Sequence, residues 1–423
     1  MKGWQEYRFG DLVHFPPKVA LRRGDEYPFI EMENLHPEQR HVESPERRKY
    51  VSSSCSKFAH RDVLLARITP CLENGKIAQV KLAGEEVGFG STEFFVFRAK
   101  APLLSQSFLF YLSKSDLIWK SAVNSMVGAS GRQRADARFL KQVPISIPRP
   151  PVQRKIAALL SAYDDLIDNN RRRIALLEKL AEDIYREWFV RLRFPGHKKA
   201  RMVKGLPQGW ALLPFSQLVI VNPPERLDKS EELPFVGMED LSLTSMFFTS
   251  KQTRRGGQGA KFRNNDVLFP RITPSVENGK RGFVMTLAAG QVGFGSTEFI
   301  VLREKIIGPE HIYFLACSSD FRKHAELSMT GASGRQRVQE ECFSFFLVKT
   351  PPPETRRQFS EAVRPCFSHI HLLARQIDHL TKTRDVLLPR LISGKLSVEN
   401  LDIQFPPGLT EELDAAPTAT SNA

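Results

Sequence analysis

Along two stretches of this 423-residue chain the apolar positions recur with helical three-and-four spacing, and elsewhere they fall in short strand-like runs. In the first stretch Ile156, Tyr163, Asn170, Leu177 and Ile184 repeat every seven residues, with Leu159, Leu166, Arg173 and Leu180 three residues further on. In the second, Phe359, Cys366, Leu373, Leu380 and Leu387 repeat every seven, flanked by Val363, Ile370, Ile377, Arg384 and Leu391. A pattern sustained this long reads as a coiled-coil seam, because a helix lying on a globule usually stops sooner. The helix-pairing residues expected are Ile156, Tyr163, Leu166 and Leu177 on one helix and Leu373, Ile377, Leu380 and Leu387 on the other. Asn170 and Arg173 put polar groups in the seam, where such groups fix register at some cost in stability. Pro365 and Pro389 are expected to break or kink the second helix. Each helix follows a Pro-rich boundary, PISIPRPP at 144–151 and VKTPPP at 348–353, and proline is tolerated where a helix begins.

Outside these helices the chain repeats itself. GWQEYRFGDLV at 3–13 returns as GWALLPFSQLV at 209–219, and PFIEMENL at 28–35 as PFVGMEDL at 234–241. KFAHRDVLLARITPCLENGK at 57–76 returns as KFRNNDVLFPRITPSVENGK at 261–280. VGFGSTEF at 87–94 returns at 292–299, and SMVGASGRQR at 125–134 as SMTGASGRQR at 328–337. A period this long makes each copy a full domain with its connector, not a solenoid repeat. FFVFR and FIVLR, β-branched and aromatic after Gly-rich turns, predict strands, and the Asn-Gly of ENGK predicts a hairpin turn. The fold class expected is therefore α+β: two similar globules linked by two long, antiparallel, coiled-coil-like helices in a pseudo-twofold arrangement. The divisions expected are 1–147 for the first globule, 148–194 for its helix, 195–349 for the second globule, 350–396 for its helix, and 397–423 for a partly disordered tail. A helix of about 35 residues spans roughly 50 Å, against about 34–36 Å for one turn of duplex DNA.

The 61 Lys and Arg against 47 Asp and Glu give a formal charge of +14, an excess that favours polyanionic partners, nucleic acid first among them. Five cysteines without a C-x-x-C pair argue against a disulfide framework or a cysteine metal site and fit a reducing cytoplasm. No stretch approaches the ~18 apolar residues of a membrane span, so no membrane role is expected.

The candidate DNA contacts are duplicated too. In GASGRQR, Arg132, Gln133 and Arg134, repeated as Arg335, Gln336 and Arg337, sit on Gly/Ser backbone that can approach a phosphate; the bland alternative is that one arginine of each pair caps a helix or bridges an acid. ITPxxENGK offers Arg67, Thr69, Asn74 and Lys76, repeated as Arg271, Thr273, Asn278 and Lys280, on a hairpin that could lie on the backbone or stand as a solvated turn. GFGSTEF supplies Ser91 and Thr92, or Ser296 and Thr297, whose hydroxyls either meet phosphate or close a turn feeding a core strand. Base reading belongs where the copies differ, since half-sites need not match. The divergent segments 36–56 and 242–260 carry Arg40 and Arg47, and Arg254 and Arg255. We expect them to be loops that enter the major groove.

These features resemble the specificity subunit of type I restriction-modification systems over nearly the whole chain. The likeness is carried by LPQGWALLPFSQLV, by GFGSTEF and GASGRQR in both copies, by LEKLAEDIYREWFVRLRFPG at 177–196 and by RDVLLPRLISGKL at 384–396. The Glu-Gln pair usual at the start of the spacer helix is missing from both copies. The resemblance implies two target recognition domains, each reading half of a split duplex target. It also implies helices that dock two methyltransferase (modification) subunits, and a translocating endonuclease (restriction) subunit completing the complex. S-adenosylmethionine, ATP and Mg are then expected on the partners and none on this chain. The similarity of the two copies further predicts related half-sites, close to an inverted repeat.

The chain carries little that suggests catalysis. The nearest approach to the Asn/Asp-Pro-Pro-aromatic motif of amino-methyltransferases is Asn222-Pro223-Pro224-Glu225, where glutamate replaces the aromatic. No G-x-x-x-x-G-K-[ST] loop occurs, Glu73 and Lys76 do not suggest a nuclease site, and His369 and His371 face apart on a helix. No catalytic residue and no metal ligand is assigned. The rival readings are a methyltransferase or nuclease with an unrecognised site, and a coiled-coil scaffold without a DNA role.

Overall fold

The computed structural model describes residues 3–405 apart from 53, 85, 130, 228, 229, 249–251 and 333. The tail expected to be partly disordered therefore lies, from 406 onward, outside the described residues. Two compact units divide the chain, residues 1–168 with 378–423 forming one and residues 169–377 the other. The division falls inside both long helices, so each unit takes a piece of each helix, where the sequence had suggested boundaries at the helix starts.

In the first unit a five-stranded sheet runs in the order Val13–His14, Phe94–Ala99, Val63–Ala66, Ile77–Lys81, His41–Glu43. A four-stranded sheet runs Glu46–Lys49, Glu26–Ile30, Val87–Gly90, Ser56–Ala59. Trp4–Arg8 pairs antiparallel with Pro144–Pro148, tying the start of the globule to its end. The apolar runs read as strands are buried for a reason visible in their composition: Phe95 and Phe97 face one core with Phe108, Leu112, Ile156 and Leu160, while Phe94 and Val96 alternate into a second with Phe58 and Leu64. One strand thus feeds two cores through its period of two. Short helices Gln106–Lys114 and Asp116–Asn124 cover the sheet, the first capped by the Ser105 hydroxyl accepting from the Phe108 amide.

The second unit repeats this plan with four-stranded sheets Val219–Val221, Phe299–Glu304, Val267–Pro270, Gly282–Phe283 and Gln252–Arg255, Glu232–Val236, Gly293–Gly295, Ala260–Phe262. Ala211–Pro214 pairs with Leu347–Thr350, as the corresponding strands do in the first unit.

The helical stretches are Pro150–Tyr185, which passes into a π-helical turn at Arg186–Val190, and Pro353–Ile392. Within the first unit they run antiparallel: Arg384 meets Asp164 at 2.6 Å, and Lys155 Nζ donates to the Glu399 and Leu401 carbonyls beyond the second helix, each at 2.8 Å. Within the second unit they are antiparallel as well, Asn170 donating to Gln376 at 3.2 Å and Arg173 meeting the His369 ring at 3.1 Å. Tyr185 and Phe189 pack there on Phe359, with the buried His311 ring stacked on Phe189 at 4.1 Å.

Two expectations are corrected. The second helix does not break at Pro365 or Pro389 but runs on through both. Both prolines sit on its exposed face, where the carbonyls of the exposed residues Glu361 and Asp385, four positions earlier, remain open to water. On the first helix the buried stripe is Leu160, Ile167, Ile174 and Ala181, so Leu166, assigned to the seam, is 51% exposed. Ile156 is buried, Tyr163 and Leu177 are half-buried, and the second helix buries Leu373 and Ile377 with Leu380 and Leu387 half-buried. Leucine supplies 159, 160, 166, 176, 177 and 180, which leaves the sequence two competing stripes one position apart.

Candidate nucleic-acid interface

Three repeated motifs, far apart in sequence, converge in each unit. In the first, Arg67 donates its amide to the Glu93 carbonyl at 3.0 Å and accepts from the Ala135 amide at 2.8 Å. Thr69 donates to the Gln133 carbonyl at 3.0 Å, and Arg134 bridges both Ile68 and Val127. The second unit reproduces each link: Arg271 to Glu298 at 2.9 Å, Val338 to Arg271 at 2.8 Å, and Thr273 to Gln336 at 3.1 Å. Arg337 there bridges Ile272 and Thr330. RITP, GSTEF and GASGRQR are therefore one structural element, with Gln133 and Gln336 contributing through their carbonyls.

The two arginines of each GRQR turn part ways. Arg134 is held by the Glu93 carboxylate, Nε at 3.0 Å and Nη2 at 2.7 Å, and Arg337 by Glu298, at 2.9 and 2.6 Å. The bonded carboxylate pushes each guanidinium above its ordinary pKa. These are the acid-bridged arginines of the bland alternative. Arg132 and Arg335 are exposed and make no ion pair with a described residue. The turn that lifts them needs glycine: Gly128 (φ +127°) and Gly331 (φ +126°) would place a Cβ 3.2 and 3.0 Å from the Arg132 and Arg335 carbonyls. Gly131 and Gly334, both at φ +79°, have nothing within 4 Å of a Cβ, so an approaching backbone meets open surface there.

The ENGK segment is not a two-residue hairpin tip. Strands Val63–Ala66 and Ile77–Lys81 do pair antiparallel, but a helical turn intervenes, with Asn74 donating to the Pro70 carbonyl at 2.9 Å. Gly75 (φ +69°) supplies the positive φ. Lys76 turns inward, its Nζ donating to the Met32 carbonyl at 2.7 Å, and Lys280 does the same to Met238 at 2.8 Å. Both are corrected from DNA candidates to internal ties, while Asn74 and Asn278 are exposed. Ser91 and Ser296 close their turns by accepting from the Glu93 and Glu298 amides at 3.2 and 3.1 Å, leaving Thr92 and Thr297 as the exposed hydroxyls. Arg67 lies 5.1 Å over Phe95 and 3.8 Å from Glu93, and Arg271 donates to Glu340 and to the Val338 carbonyl, each at 3.2 Å.

The divergent segments hold strands as well as loops. Glu46–Lys49 and Gln252–Arg255 are fully exposed strands at the outer edge of corresponding sheets. On each, one arginine lies over an aromatic ring of the neighbouring strand: Arg48 over Phe29 at 4.1 Å and Arg254 over Phe235 at 3.7 Å. Stacking fixes these guanidinium planes, and their edges are engaged as well, Arg48 with Glu31 at 2.6 Å and Glu46 at 2.5 Å and Arg254 with the Gln252 side chain at 3.0 Å. Arg255 is exposed and makes no ion pair with a described residue. Arg47 is tied to Glu86 and to the Glu26 carbonyl. Arg40 is not a surface residue: it is 7% exposed, reaches Gln79 at 3.5 Å, lies 3.9 Å from Asp165 and sits over the buried Tyr111 ring at 5.7 Å, just ahead of the edge strand His41–Glu43. Burial, and then the neighbouring Arg40, hold His41 down to a pKa of about 4. The keeper carboxylates Glu93 and Glu298 were missed from sequence; the invariance of Glu between the two GSTEF copies was the available signal.

Among the described residues no helix is long and apolar enough to cross a membrane. The family model described as the type I restriction modification DNA specificity domain matches residues 1–179. The chain is 26% identical over 311 residues to the type I restriction enzyme MjaIX specificity subunit of Methanocaldococcus jannaschii, covering 70% of each. It is 18% identical over 418 residues to the MjaVIII specificity subunit of the same organism, covering 94% of each. Among solved structures it is similar to the type I restriction-modification S subunit from M. genitalium, with a TM-score of 0.49, 15% identity and coverage of 92% of this chain and 96% of that one. The HsdS subunit from Thermoanaerobacter tengcongensis gives a TM-score of 0.38 at 18% identity, covering 93% and 98%.

Proposed function

We infer that this chain belongs to the specificity-subunit family of type I restriction-modification systems and is the non-catalytic subunit that selects their DNA target. It reads a split duplex sequence through its two globules, each taking one half. The observation that carries the reading is the duplicated RITP–GSTEF–GASGRQR element, which in each unit ties one arginine to a glutamate and presents the other, Arg132 or Arg335, exposed at a glycine turn with no ion pair to a described residue. Identical elements suit a contact common to both half-sites, namely phosphate; the differing edge strands, with Arg48 in one and Arg254 and Arg255 in the other, suit base edges in the major groove. The long helices dock two modification subunits, and a restriction subunit joins them. S-adenosylmethionine, ATP and Mg bind those partners, and the complex works in the cytoplasm, where the DNA lies.

Methylome sequencing of a host carrying the partner subunits, with and without this gene, tests the reading. A bipartite methylated motif that vanishes with the gene is the expected outcome; an unchanged methylome refutes it.

A further inference from the structure

Each unit contains a cleft at the same place, sharing Arg67 and Thr92, or Arg271 and Thr297, with the candidate interface and otherwise lined by residues outside it. The first, of about 750 Å³, lies between the Phe15–Ala20 turn, Lys57, Arg67, Thr92 and a floor of Phe94, Phe95 and Val96. The second, of about 500 Å³, repeats it: Pro16 and Pro17 are answered by Pro223 and Pro224, Lys57 by Lys261, Arg67 by Arg271, Thr92 by Thr297 and Phe94 by Phe299. A cleft retained at equivalent positions in both copies is not an accident of one loop.

Its chemistry is consistent between copies. Among the described residues no acid lines the first cleft, which carries Lys18, Lys57 and Arg67. In the second, Glu225 stands where Lys18 does, but its side chain is 4% exposed and neutralised by Arg303 at 2.5 Å and Arg263 at 2.7 Å. Among the described residues the buried Nε of Arg67 and of Arg271 has no hydrogen-bond partner, a costly arrangement, although Arg67 lies 3.8 Å from Glu93 and Arg271 donates to Glu340 at 3.2 Å. An apolar aromatic floor under a cationic, hydroxyl-bearing rim suits a flat ring joined to an anion. Phosphate alone needs no such floor, and a base still paired and stacked in the duplex cannot reach one.

We propose that each cleft binds a single unpaired nucleotide, its ring on the Phe94 or Phe299 side of the floor and its phosphate at Arg67 or Arg271. The nucleotide comes either from the bound duplex, drawn out of the stack, or from solution. The proposal rests on the DNA-reading function inferred above.

The test uses the full chain and duplexes of its methylated motif with 2-aminopurine placed at each position in turn. For the duplex source, emission rises severalfold at one position of a half-site on binding. Ala20→Trp, a substitution at an exposed cleft-lining residue, abolishes that rise while duplex binding persists, and Pro224→Trp, at an exposed lining residue of the second cleft, does the same for the other half-site. For the solution source, 2-aminopurine deoxynucleoside monophosphate gains anisotropy with the parent chain and not with the combined Ala20→Trp, Pro224→Trp variant. A parent chain that holds the duplex yet shows neither signal overturns the proposal, as does a rise that survives Ala20→Trp. Failure of the parent chain to hold the duplex overturns the DNA-reading function itself.

Discussion

Arg384→Met probes the polar contact between the helices inside the first unit. Arg384 Nη1 donates to Asp164 Oδ1 at 2.6 Å, the Tyr111 hydroxyl donates to Oδ2 at 2.6 Å, and the two charged side chains are only 6% and 4% exposed. Methionine keeps the length and apolar contacts of the arginine stem and removes the charge. Asp164 is then buried with one neutral donor, and losing one member of a buried pair costs about 3–5 kcal/mol. The Tyr111 bond survives, so the lower end, about 3 kcal/mol, is expected. Adding Asp164→Asn removes the stranded charge while leaving an acceptor for Tyr111, so the double variant should recover to within about 1 kcal/mol of the parent, since replacing a whole buried pair is often neutral. Urea unfolding, with hydrogen exchange of the helix amides around 156–164 to isolate this unit, reads both variants. A single variant costing under about 1 kcal/mol, or a double variant no better than the single, refutes the reasoning. If it holds, the pair acts as a register device, because a slip of one turn would set each charge against apolar side chains.

Other outcomes follow from the same geometry. Arg132→Ala and Arg335→Ala should each weaken duplex binding about tenfold and lower the salt slope by about 1, with little sequence dependence; a change in the methylated motif would count against phosphate contact. His41, held at about 4 in the fold against 6.5 when unfolded, gives stability that is complete above pH 6.5 and is lost as pH falls toward 4. The unfolded chain takes up the proton that the fold excludes, a loss of about 2 kcal/mol by pH 5. His41→Gln should flatten that part of the urea-midpoint profile, and an unaltered profile would assign the sensitivity elsewhere. Replacing 36–56 by 242–260 should alter one half of the methylated motif and leave the other; an unchanged motif would remove the edge strands from base reading.

The duplication and the helical stretches were legible because exact repeats and seven-residue spacing survive in one dimension. The second helix could be read almost residue by residue, since one stripe of apolar residues dominates it. The first could not, because its leucines offer adjacent stripes and its true seam admits Asp164, whose partner Arg384 lies over 200 positions away. The same limit governed the candidate interface. GASGRQR shows two arginines per turn, and only the position of Glu93 or Glu298, about forty residues earlier, decides which is free. Lys76 and Arg40 looked available because side-chain direction is set by the sheet, not by local composition.

The central claim is that each globule reads its own half of the target. Replacing residues 3–147 with a second copy of 209–349 makes the two readers identical, and methylome sequencing of a host expressing that chain with its partners tests the claim most directly. The account predicts a symmetric motif built from one parental half-site twice. Retention of the parental bipartite motif would contradict it.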